Sequence, residues 1–330
     1  FAMGKSLVVG VDLGGTKIYA IVIDETGKVL SRYKIKTEGE NDVDKLAVKI
    51  ADCYLESLKL SGIAEKDITA LGLAVPSSVN VDLGILKYAP NLGMKNVEFL
   101  KILKRKINKP MFMDNDVNMG IFGEYSLGSA RKYKHVYGLF VGTGIGGGYI
   151  LDGKVIRGVS YTAGEIGHMI VKIGGPMCNC GKSGCLEAIA GKVGIINYIK
   201  KQVEKKGKKT ALSDISPDWR KTVGSSALRK CYEMEDEVVV KAINKAAKTI
   251  GIACANLVDV VGVEAIVLGG GLIEEMGEVF TPMVEENMKS YSIADGANGV
   301  ALIKAELGDD AVALGAAWFT SLEENKNYLK

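Results

Sequence analysis

The sequence predicts an α/β protein built from two related domains, and three observations support this. The chain has 330 residues, which is long for one hydrophobic core and typical of two domains. Short apolar runs of strand type alternate with segments whose apolar residues recur at helical spacing. The order strand, glycine turn with a threonine, strand, turn and strand occurs twice, at 7–35 and at 137–156. We expect these repeats to begin two related halves that face one another.

Composition excludes several classes of protein. The chain is 47% hydrophobic and 25% charged, and its net charge of +3 is too small to indicate nucleic acid or an anionic membrane as a partner. No apolar run approaches the roughly eighteen residues of a membrane-spanning helix. The six cysteines favour a reducing cytoplasm over a disulfide framework, with Cys53 and Cys254 expected in the core. Residues 1–2, before Met3, look like a cloning remnant without a signal region.

The first glycine turn connects two predicted strands, 7–11 and 18–23, through the sequence DLGGTK at 12–17. A strand follows these glycines, whereas a helix follows the glycines of a P-loop or a dinucleotide-binding turn. Backbone N–H groups in such a turn can approach phosphates closely, and Thr16 adds a hydroxyl donor. Asp12 is a candidate ligand for Mg²⁺, directly or through water. The alternative is a plain glycine-rich hairpin turn.

Two further glycine clusters follow predicted strands. Gly142 to Gly148 follows the strand at 137–141 and contains a formal G-x-G-x-x-G, but a strand comes next, so dinucleotide binding is not indicated. The repetition suggests phosphates held between two glycine hairpins. Gly269 to Gly271 ends the strand at 265–268 and leads into a helix, which permits close approach of a flat or phosphorylated ligand.

Polar residues at 114–118, with the sequence DNDVN, follow a short predicted strand at 111–113. The carboxyl ends of buried strands are where α/β proteins place ligand chemistry. Asp116 is therefore the candidate general base, with Asn115 beside it to bond a hydroxyl. The alternative is helix N-capping, and we expect one of these residues to cap. Two aspartates and two asparagines exceed what a cap requires.

One of the two histidines and three of the six cysteines fall within eighteen residues, as His168, Cys178, Cys180 and Cys185. Three thiolates and an imidazole complete a tetrahedral zinc set, and a filled set indicates a structural site. Glu165 and Glu187 bracket the cluster, which suggests a polar-ligand pocket held in shape by the metal. The alternative is a loop with buried free cysteines.

Together these motifs resemble the ROK family of sugar kinases, and the resemblance covers nearly the whole chain. Its most specific parts are GEIGH at 164–168 and C-x-C-G-x2-G-C-x-E at 178–187. The resemblance implies a two-domain actin-like ATPase fold of ribonuclease H type, with duplicated βββαβα units and an interdomain active-site cleft. It also implies a smaller domain, 1–116 plus about 312–330, and a larger domain, 117–311, that carries the zinc loop.

The same resemblance implies the roles of the site residues and the cofactors ATP, Mg²⁺ and structural Zn²⁺. Asp116 falls on the catalytic aspartate. The implied sugar ligands are Asn115, Glu165, His168 and Glu187, with Ser77 and Asn91 nearby, and His168 also binds zinc with the three cysteines. The implied ATP contacts are Asp12, Gly14, Gly15, Thr16 and Lys17, then Gly142, Thr143 and Gly144, and on the adenosine side Gly269, Gly270 and Gly271.

We expect a cytoplasmic ATP-dependent kinase, with glucose as the favoured hexose and a homodimer or homotetramer as the assembly. Two departures from the family pattern concern the sugar: Ser77 follows Pro76 where glycine is usual, and Met94 replaces an aromatic residue. Other substrates are N-acetylmannosamine, fructose, mannose, allose or a cyclitol. A further alternative is a sugar-sensing protein without turnover. A DNA-binding repressor is disfavoured because eleven residues precede Asp12, too few for a winged helix.

Overall fold

The computed structural model describes residues 7–89 and 92–330 and divides into two compact units. Unit 1 contains the chain up to Lys132, Lys154–Ala163 and Asp309–Lys330, and unit 2 contains Tyr133–Gly153 and Gly164–Gly308. The segment Lys154–Ala163 thus belongs to unit 1 although unit 2 precedes and follows it. The domain boundaries expected from the family resemblance stay a prediction.

The elements follow one another in this order: β1 (Leu7–Leu13), β2 (Lys17–Ile23), β3 (Val29–Lys36), α1 (Val43–Ser61), β4 (Ile68–Val75), β5 (Ser78–Asn80), β6 (Ile85–Ala89), β7 (Met94–Val97), α2 (Phe99–Leu103), β8 (Met111–Asn115), α3 (Asp116–Ser126), β9 (His135–Val141), β10 (Ile145–Leu151), β11 (Lys154–Val155), α4 (Leu186–Ala190), α5 (Lys192–Lys206), α6 (Leu212–Ile215), α7 (Ser225–Glu233), α8 (Glu237–Val261), β12 (Ala265–Gly269), α9 (Gly271–Tyr291), β13 (Ala301–Lys304) and α10 (Ala311–Ser321).

Both large sheets have the same pattern of strands. The first has the order β3-β2-β1-β4-β8, in which β1 pairs antiparallel with β2 and parallel with β4. The second has the order β11-β10-β9-β12-β13, in which β9 pairs antiparallel with β10 and parallel with β12. In each sheet an antiparallel pair that flanks a glycine turn therefore continues through parallel pairing into two further strands. The repetition expected from the two glycine turns is confirmed at the level of topology.

Helix α10 lies in backbone contact with the first sheet and with α3. A Cβ atom added at Gly10 of β1 would lie 1.8 Å from the carbonyl oxygen of Ala313, and one at Gly72 of β4 would lie 2.0 Å from that of Ala316. A Cβ atom at Gly315 of α10 would lie 1.8 Å from the carbonyl oxygen of Met119. Only residues without side chains permit this spacing, so these glycines set how closely α10 approaches.

Several elements differ from those that the sequence predicted. The helix expected at 188–202 is broken at Gly191 into α4 and α5, because the Gly191 backbone is extended there. The helix expected at 97–107 is confined to Phe99–Leu103. The glycine stretch 142–148 is a turn only up to Gly144, since β10 begins at Ile145. The three-stranded sheet β5-β6-β7 was not predicted.

Other expectations are confirmed. The strand expected at 68–75 is β4, and the glycine hairpins are followed by strands rather than helices. Cys53 and Cys254 are fully buried, as expected for core thiols. Among the helices of the described residues, none combines the length and the apolar character needed to cross a membrane.

The packing of α10 predicts opposite effects for two glycine-to-alanine substitutions within helices. Gly315→Ala should lower the free energy of unfolding by about 1–3 kcal/mol, because the new methyl group overlaps Met119. Gly277→Ala in α9 is the matched control, since its nearest atom would be 3.5 Å away. Alanine should be neutral there or stabilise by up to about 1 kcal/mol. Denaturation followed by circular dichroism measures both, and equal effects would contradict the packing argument.

Candidate active site

The predicted site residues fall in both units, and each set is described within its own unit. In unit 1 the first glycine turn joins β1 to β2, and the Gly14 N–H donates to the carbonyl oxygen of Lys17 at 2.8 Å. Gly15 and Thr16 are exposed at the tip. Buried Thr37 holds the turn, because its hydroxyl donates to the Gly14 carbonyl oxygen and its N–H to the Thr16 carbonyl oxygen, both at 2.9 Å. Sequence reasoning missed Thr37.

Two carboxylates at the start of α10 bind the basic side chains of β2 and β3. Asp309 Oδ2 lies 3.2 Å from Lys17 Nζ and 3.0 Å from Lys34 Nζ, and these hydrogen bonds lower the pKa of the Asp309 carboxyl. Asp310 accepts hydrogen bonds from Arg32 Nε, at 2.9 Å, and from the Tyr19 hydroxyl. Lys17, predicted beside the phosphate loop, therefore has an anionic partner 292 residues away. No local motif could have predicted that pairing.

Asp12 is a carboxylate in a poorly solvated position near these charges. Burial raises the pKa of the Asp12 carboxyl from 3.8 to about 6, with Lys17 opposing the rise and Asp309 adding to it. A largely desolvated carboxylate gains more from a nearby cation than a hydrated one does. Asp12 is the kind of oxygen ligand that Mg²⁺ prefers, so its position fits the predicted magnesium role.

The turn from β8 into α3 carries the candidate base. Asp116 is the first residue of α3, and its Oδ1 accepts hydrogen bonds from Asn115 Nδ2 at 3.0 Å and from the Val117 N–H at 2.9 Å. Asn115 is the N-cap, since its Oδ1 accepts from the Asn118 N–H at 3.0 Å. The expectation that one residue of this group caps the helix is confirmed. The same asparagine also fixes the orientation of the Asp116 carboxylate.

Beneath this turn lies a buried ion pair that sequence reasoning missed. Arg157 Nε donates to Asp114 Oδ2 at 2.8 Å, and both side chains are nearly inaccessible to solvent. Asp114 Oδ1 accepts from the Asn115 N–H at 2.7 Å and from Asn118 Nδ2 at 3.2 Å. The Arg157 guanidinium also lies 5.4–5.8 Å from the ring centres of Phe112, Phe319 and Tyr328. This pair explains why Lys154–Ala163 belongs to unit 1.

The remaining predicted sugar residues of unit 1 have different surroundings. Ser77 follows β4, whose end pairs in parallel with the end of β8, and its carbonyl oxygen accepts from Asn115 Nδ2 at 3.3 Å. The Ser77 hydroxyl donates a hydrogen bond to the Tyr88 carbonyl oxygen at 2.8 Å, which helps to hold β6 in place. Met94 is 4% exposed at the start of β7. Asn91 lies outside the described residues.

In unit 2 the second glycine turn joins β9 to β10. The Gly142 N–H donates to the Gly144 carbonyl oxygen at 2.9 Å. The first residues of α5 hold the other side, since the N–H groups of Lys192 and Val193 donate to the carbonyl oxygens of Gly142 and Thr143 at 3.1 and 3.2 Å. Backbone hydrogen bonds therefore hold Gly142 and Thr143 in place.

The third glycine cluster connects β12 to α9. Gly270 has a φ of +88°, in the region that favours glycine. A Cβ atom at this position would lie 2.7 Å from the carbonyl oxygen of Val141, at the end of β9. Gly269 ends β12 and Gly271 begins α9, so the expected strand-to-helix turn is confirmed.

The four predicted zinc ligands come together in unit 2, with all four donor atoms within 4.8 Å of one another. Cys178 Sγ lies 3.8 Å from His168 Nδ1, and Cys180 Sγ lies 3.6 Å from Cys185 Sγ. Tetrahedral ligands of one zinc ion would be roughly 3.6–3.8 Å apart. Gly181 and Gly184 have φ values of +84° and +87°, which allow the tight loop. The arrangement is compatible with a structural zinc ion.

Glu165 and Glu187 lie near His168, the histidine of this cluster. Burial raises the pKa of the Glu165 carboxyl, with nearby His168 opposing the rise and Glu187 adding to it. Glu187 Oε2 accepts a hydrogen bond from the Ile145 N–H at 3.0 Å. The structure therefore brings together the three sugar ligands predicted in this unit.

Comparison with known proteins shows the family. The sequence model of the ROK family matches residues 8–322, so the chain belongs to the ROK family. A glucokinase of Halalkalibacterium halodurans is 30% identical over 325 residues, which cover 98% of this chain and 97% of the relative. A xylose repressor of Caldicellulosiruptor bescii is also 30% identical, over 93% of this chain and 76% of the repressor. The resemblance inferred from the motifs is confirmed.

The structural comparison agrees. The crystal structure of a ROK family glucokinase from Streptomyces griseus, in complex with glucose and AMPPNP, superposes with a TM-score of 0.78. The two proteins are 27% identical, and the match covers 94% of this chain and 98% of the other. The chain therefore has the actin-like ATPase fold that its motifs predicted, in the form found in ROK sugar kinases.

The environment of Asp12 predicts an unusual dependence of stability on pH. Its folded pKa of about 6 exceeds the ordinary 3.8, so the ionised carboxylate destabilises the fold above about pH 6 and has no such effect below about pH 4. Asp12→Asn should therefore raise the free energy of unfolding at pH 8 by about 1–3 kcal/mol, without nucleotide or Mg²⁺, and change it little at pH 4.

Asp24 provides the control with the opposite sign. Hydrogen bonds from Thr26 lower the pKa of the Asp24 carboxyl, so Asp24→Asn should destabilise the protein at pH 8. Urea denaturation at both pH values measures the two variants. Destabilisation by Asp12→Asn at pH 8 would contradict the prediction, because it would show that the fold stabilises the ionised Asp12 carboxylate.

Proposed function

We propose that this protein is an ATP-dependent sugar kinase that transfers the γ-phosphate of ATP to a hydroxyl group of a hexose, with glucose as the favoured substrate. The observation that carries the proposal is the placement of Asp116. This carboxylate lies at the carboxyl end of a parallel strand and is held by Asn115 Nδ2 and by the Val117 N–H. Glucokinases among the relatives support the choice of glucose.

In the proposed mechanism Asp116 accepts the proton of the sugar hydroxyl as that oxygen bonds to the γ-phosphate. A sugar hydroxyl has a pKa far above neutrality, so a positioned base is needed at that moment. The two hydrogen bonds to Oδ1 of Asp116, from Asn115 Nδ2 and the Val117 N–H, orient the carboxylate for this proton transfer. The buried Arg157–Asp114 pair supports the turn that carries this carboxylate.

Phosphoryl transfer otherwise depends on positioning and on neutralising negative charge. We assign the phosphate contacts to Gly14, Gly15 and Thr16 of the first turn and to Gly142–Gly144 of the second. Asp12 would hold the Mg²⁺, which would neutralise phosphate charge. Gly269, Gly270 and Gly271 would border the adenosine. Lys17 would contribute positive charge, shared with Asp309.

We assign sugar hydroxyl contacts to Asn115, Glu165, His168 and Glu187, with Ser77 and Asn91 as further candidates. His168 Nδ1 faces the cysteines, which leaves Nε2 of the same ring for the sugar. A zinc ion held by His168, Cys178, Cys180 and Cys185 would fix the loop structurally. Orienting ligand groups in this way is a common effect of metal ligation.

A sugar sensor without turnover is the second candidate. The xylose repressor covers 93% of this chain and is 30% identical to it, the same identity as the glucokinase. An assay of sugar phosphorylation distinguishes the sensor from the kinase. Among kinases, the alternatives are N-acetylmannosamine, fructose, mannose, allose or a cyclitol. The Ser77 and Met94 positions would then account for the altered preference.

The proposal predicts turnover that depends on Asp116. ADP release with Mg-ATP, measured across hexoses, N-acetylhexosamines and inositols, should be fastest with glucose. Asp116→Asn should reduce kcat by about 10²–10⁴-fold because the base is lost, while glucose affinity by calorimetry changes little. Asp67→Asn, at an exposed carboxyl in unit 1, is the control and should keep normal turnover. Near-normal kcat in Asp116→Asn would reject the base assignment, and no turnover by the wild type on any sugar would favour the sensor.

Metal content provides a separate test. The protein purified without chelator should contain one zinc per chain by elemental analysis, and Cys180→Ser should lower this content because it removes one of four ligands. Zinc loss should also lower the temperature of unfolding, since binding energy contributes to folding energy. Cys231→Ser, at a buried thiol outside the cluster, should leave zinc content unchanged. Equal zinc content in both variants would reject the ligand assignment.

A further inference from the structure

Glu187 contacts the second glycine turn as well as the Cys/His cluster. Its Oε2 accepts a hydrogen bond from the N–H of Ile145, at 3.0 Å, and Ile145 is the first residue after that turn. Its Oε1 lies 3.5 Å from Cys178 Sγ. Carboxylate-to-amide hydrogen bonds are charge-assisted and therefore among the stronger ones. One side chain thus joins the loop that carries the proposed sugar ligands to a proposed phosphate turn.

The carboxylate also fills the space beside Gly144. A Cβ atom added at Gly144 would lie 2.1 Å from Glu187 Oε2 and 2.9 Å from its Cδ. Gly144 does not have a left-handed φ, so its backbone does not require glycine. The contact with Glu187 is what excludes a side chain at this position. Any shift of the carboxylate therefore changes the space available to the turn.

The other side of Ile145 contacts the second segment with proposed sugar ligands. A Cβ atom at Gly167 would lie 1.9 Å from the Ile145 carbonyl oxygen, and Gly167 is the neighbour of His168. Glu187 therefore holds the N–H of Ile145 while the segment containing Gly167 packs against its carbonyl group. The end of the turn therefore lies between the Glu187 carboxylate and the segment that contains Gly167, and a bound sugar would restrain both.

We propose that Glu187 is a positioning residue for the second glycine turn and that, through it, sugar binding and nucleotide binding strengthen one another. This inference rests on the proposed function. A sugar hydroxyl bound to Glu187 would restrain its carboxylate and, through the Ile145 N–H, the turn that receives phosphate. The coupling is reciprocal, so a nucleotide that orders the turn raises sugar affinity by the same factor. All of the contacts that transmit it lie within unit 2.

The first test needs no ligand. Hydrogen–deuterium exchange of a peptide covering residues 142–148 should be faster in Glu187→Ala than in the wild type, because the acceptor for the Ile145 N–H is lost. Glu286→Ala is the matched control, since it removes an exposed carboxylate of α9 in the same unit without removing that hydrogen bond. Equal exchange in the two variants would overturn the positioning role. If Glu187→Ala does not fold, Glu187→Gln replaces it, with a smaller rise expected because an oxygen acceptor remains.

The second test measures AMPPNP affinity by calorimetry with Mg²⁺, with and without glucose. Glucose should raise the affinity of the wild type at least about fivefold. Without glucose, Glu187→Ala should bind AMPPNP about tenfold more weakly, whereas Glu286→Ala should stay within about twofold of the wild type. In Glu187→Ala the effect of glucose should disappear. Equal AMPPNP affinities for the two variants without glucose would overturn the inference.

A double substitution tests the contact directly. Gly144→Ala should weaken AMPPNP binding because its methyl group meets Glu187, but in the Glu187→Ala protein it should cost little more, since the space is free. Additive losses would overturn the inference. Failure of the wild type to bind AMPPNP at all would reject the proposed function, and the exchange experiment would still decide whether Glu187 positions the turn.

Discussion

Close backbone packing of α10 against the first sheet and α3 is the constraint on which unit 1 depends. Gly10 and Gly72 lie under the carbonyl groups of α10, and Gly315 lies against α3. This spacing holds α10 against the sheet, and the residues just before it, Asp309 and Asp310, bind basic side chains of β2 and β3. Those strands form and flank the first glycine turn. The position of a helix near the end of the chain thus determines the electrostatics around Asp12, near its beginning.

Close backbone packing at glycines also occurs in unit 2, where it positions a different kind of segment. Gly147 lies in β10, where a Cβ atom would come within 2.4 Å of the Gly164 carbonyl oxygen, and one at Gly167 would lie 1.9 Å from the Ile145 carbonyl oxygen. The segment that contains Glu165 and His168 can therefore lie directly on the strand that leaves the second glycine turn. In both units, missing side chains let one segment approach a strand backbone closely, and in unit 2 that segment carries two of the proposed sugar ligands.

The sequence predicted much of this protein because several of its signals are local. The Cys/His spacing identified four side chains whose donor atoms lie within 4.8 Å, and the strand after each glycine turn distinguished a hairpin from a P-loop. Helix ends were less predictable, as the break at Gly191 and the short α2 show, because apolar periodicity continues across such breaks. The small sheet β5-β6-β7 pairs neighbouring strands, but these strands have only three to five residues each, too few to give a clear periodic signal.

The sequence by itself determined the fold class, the duplication, the candidate base and the Cys/His cluster, since each depends on residue types at short separations. The tertiary structure alone decided how these groups are held. Arg157 pairs with Asp114 across 43 residues, Asp309 with Lys17 across 292, and Glu187 with Ile145 across 42. Such partners are brought together by chain folding, and neither periodicity nor motif spacing carries information about which distant side chains will meet.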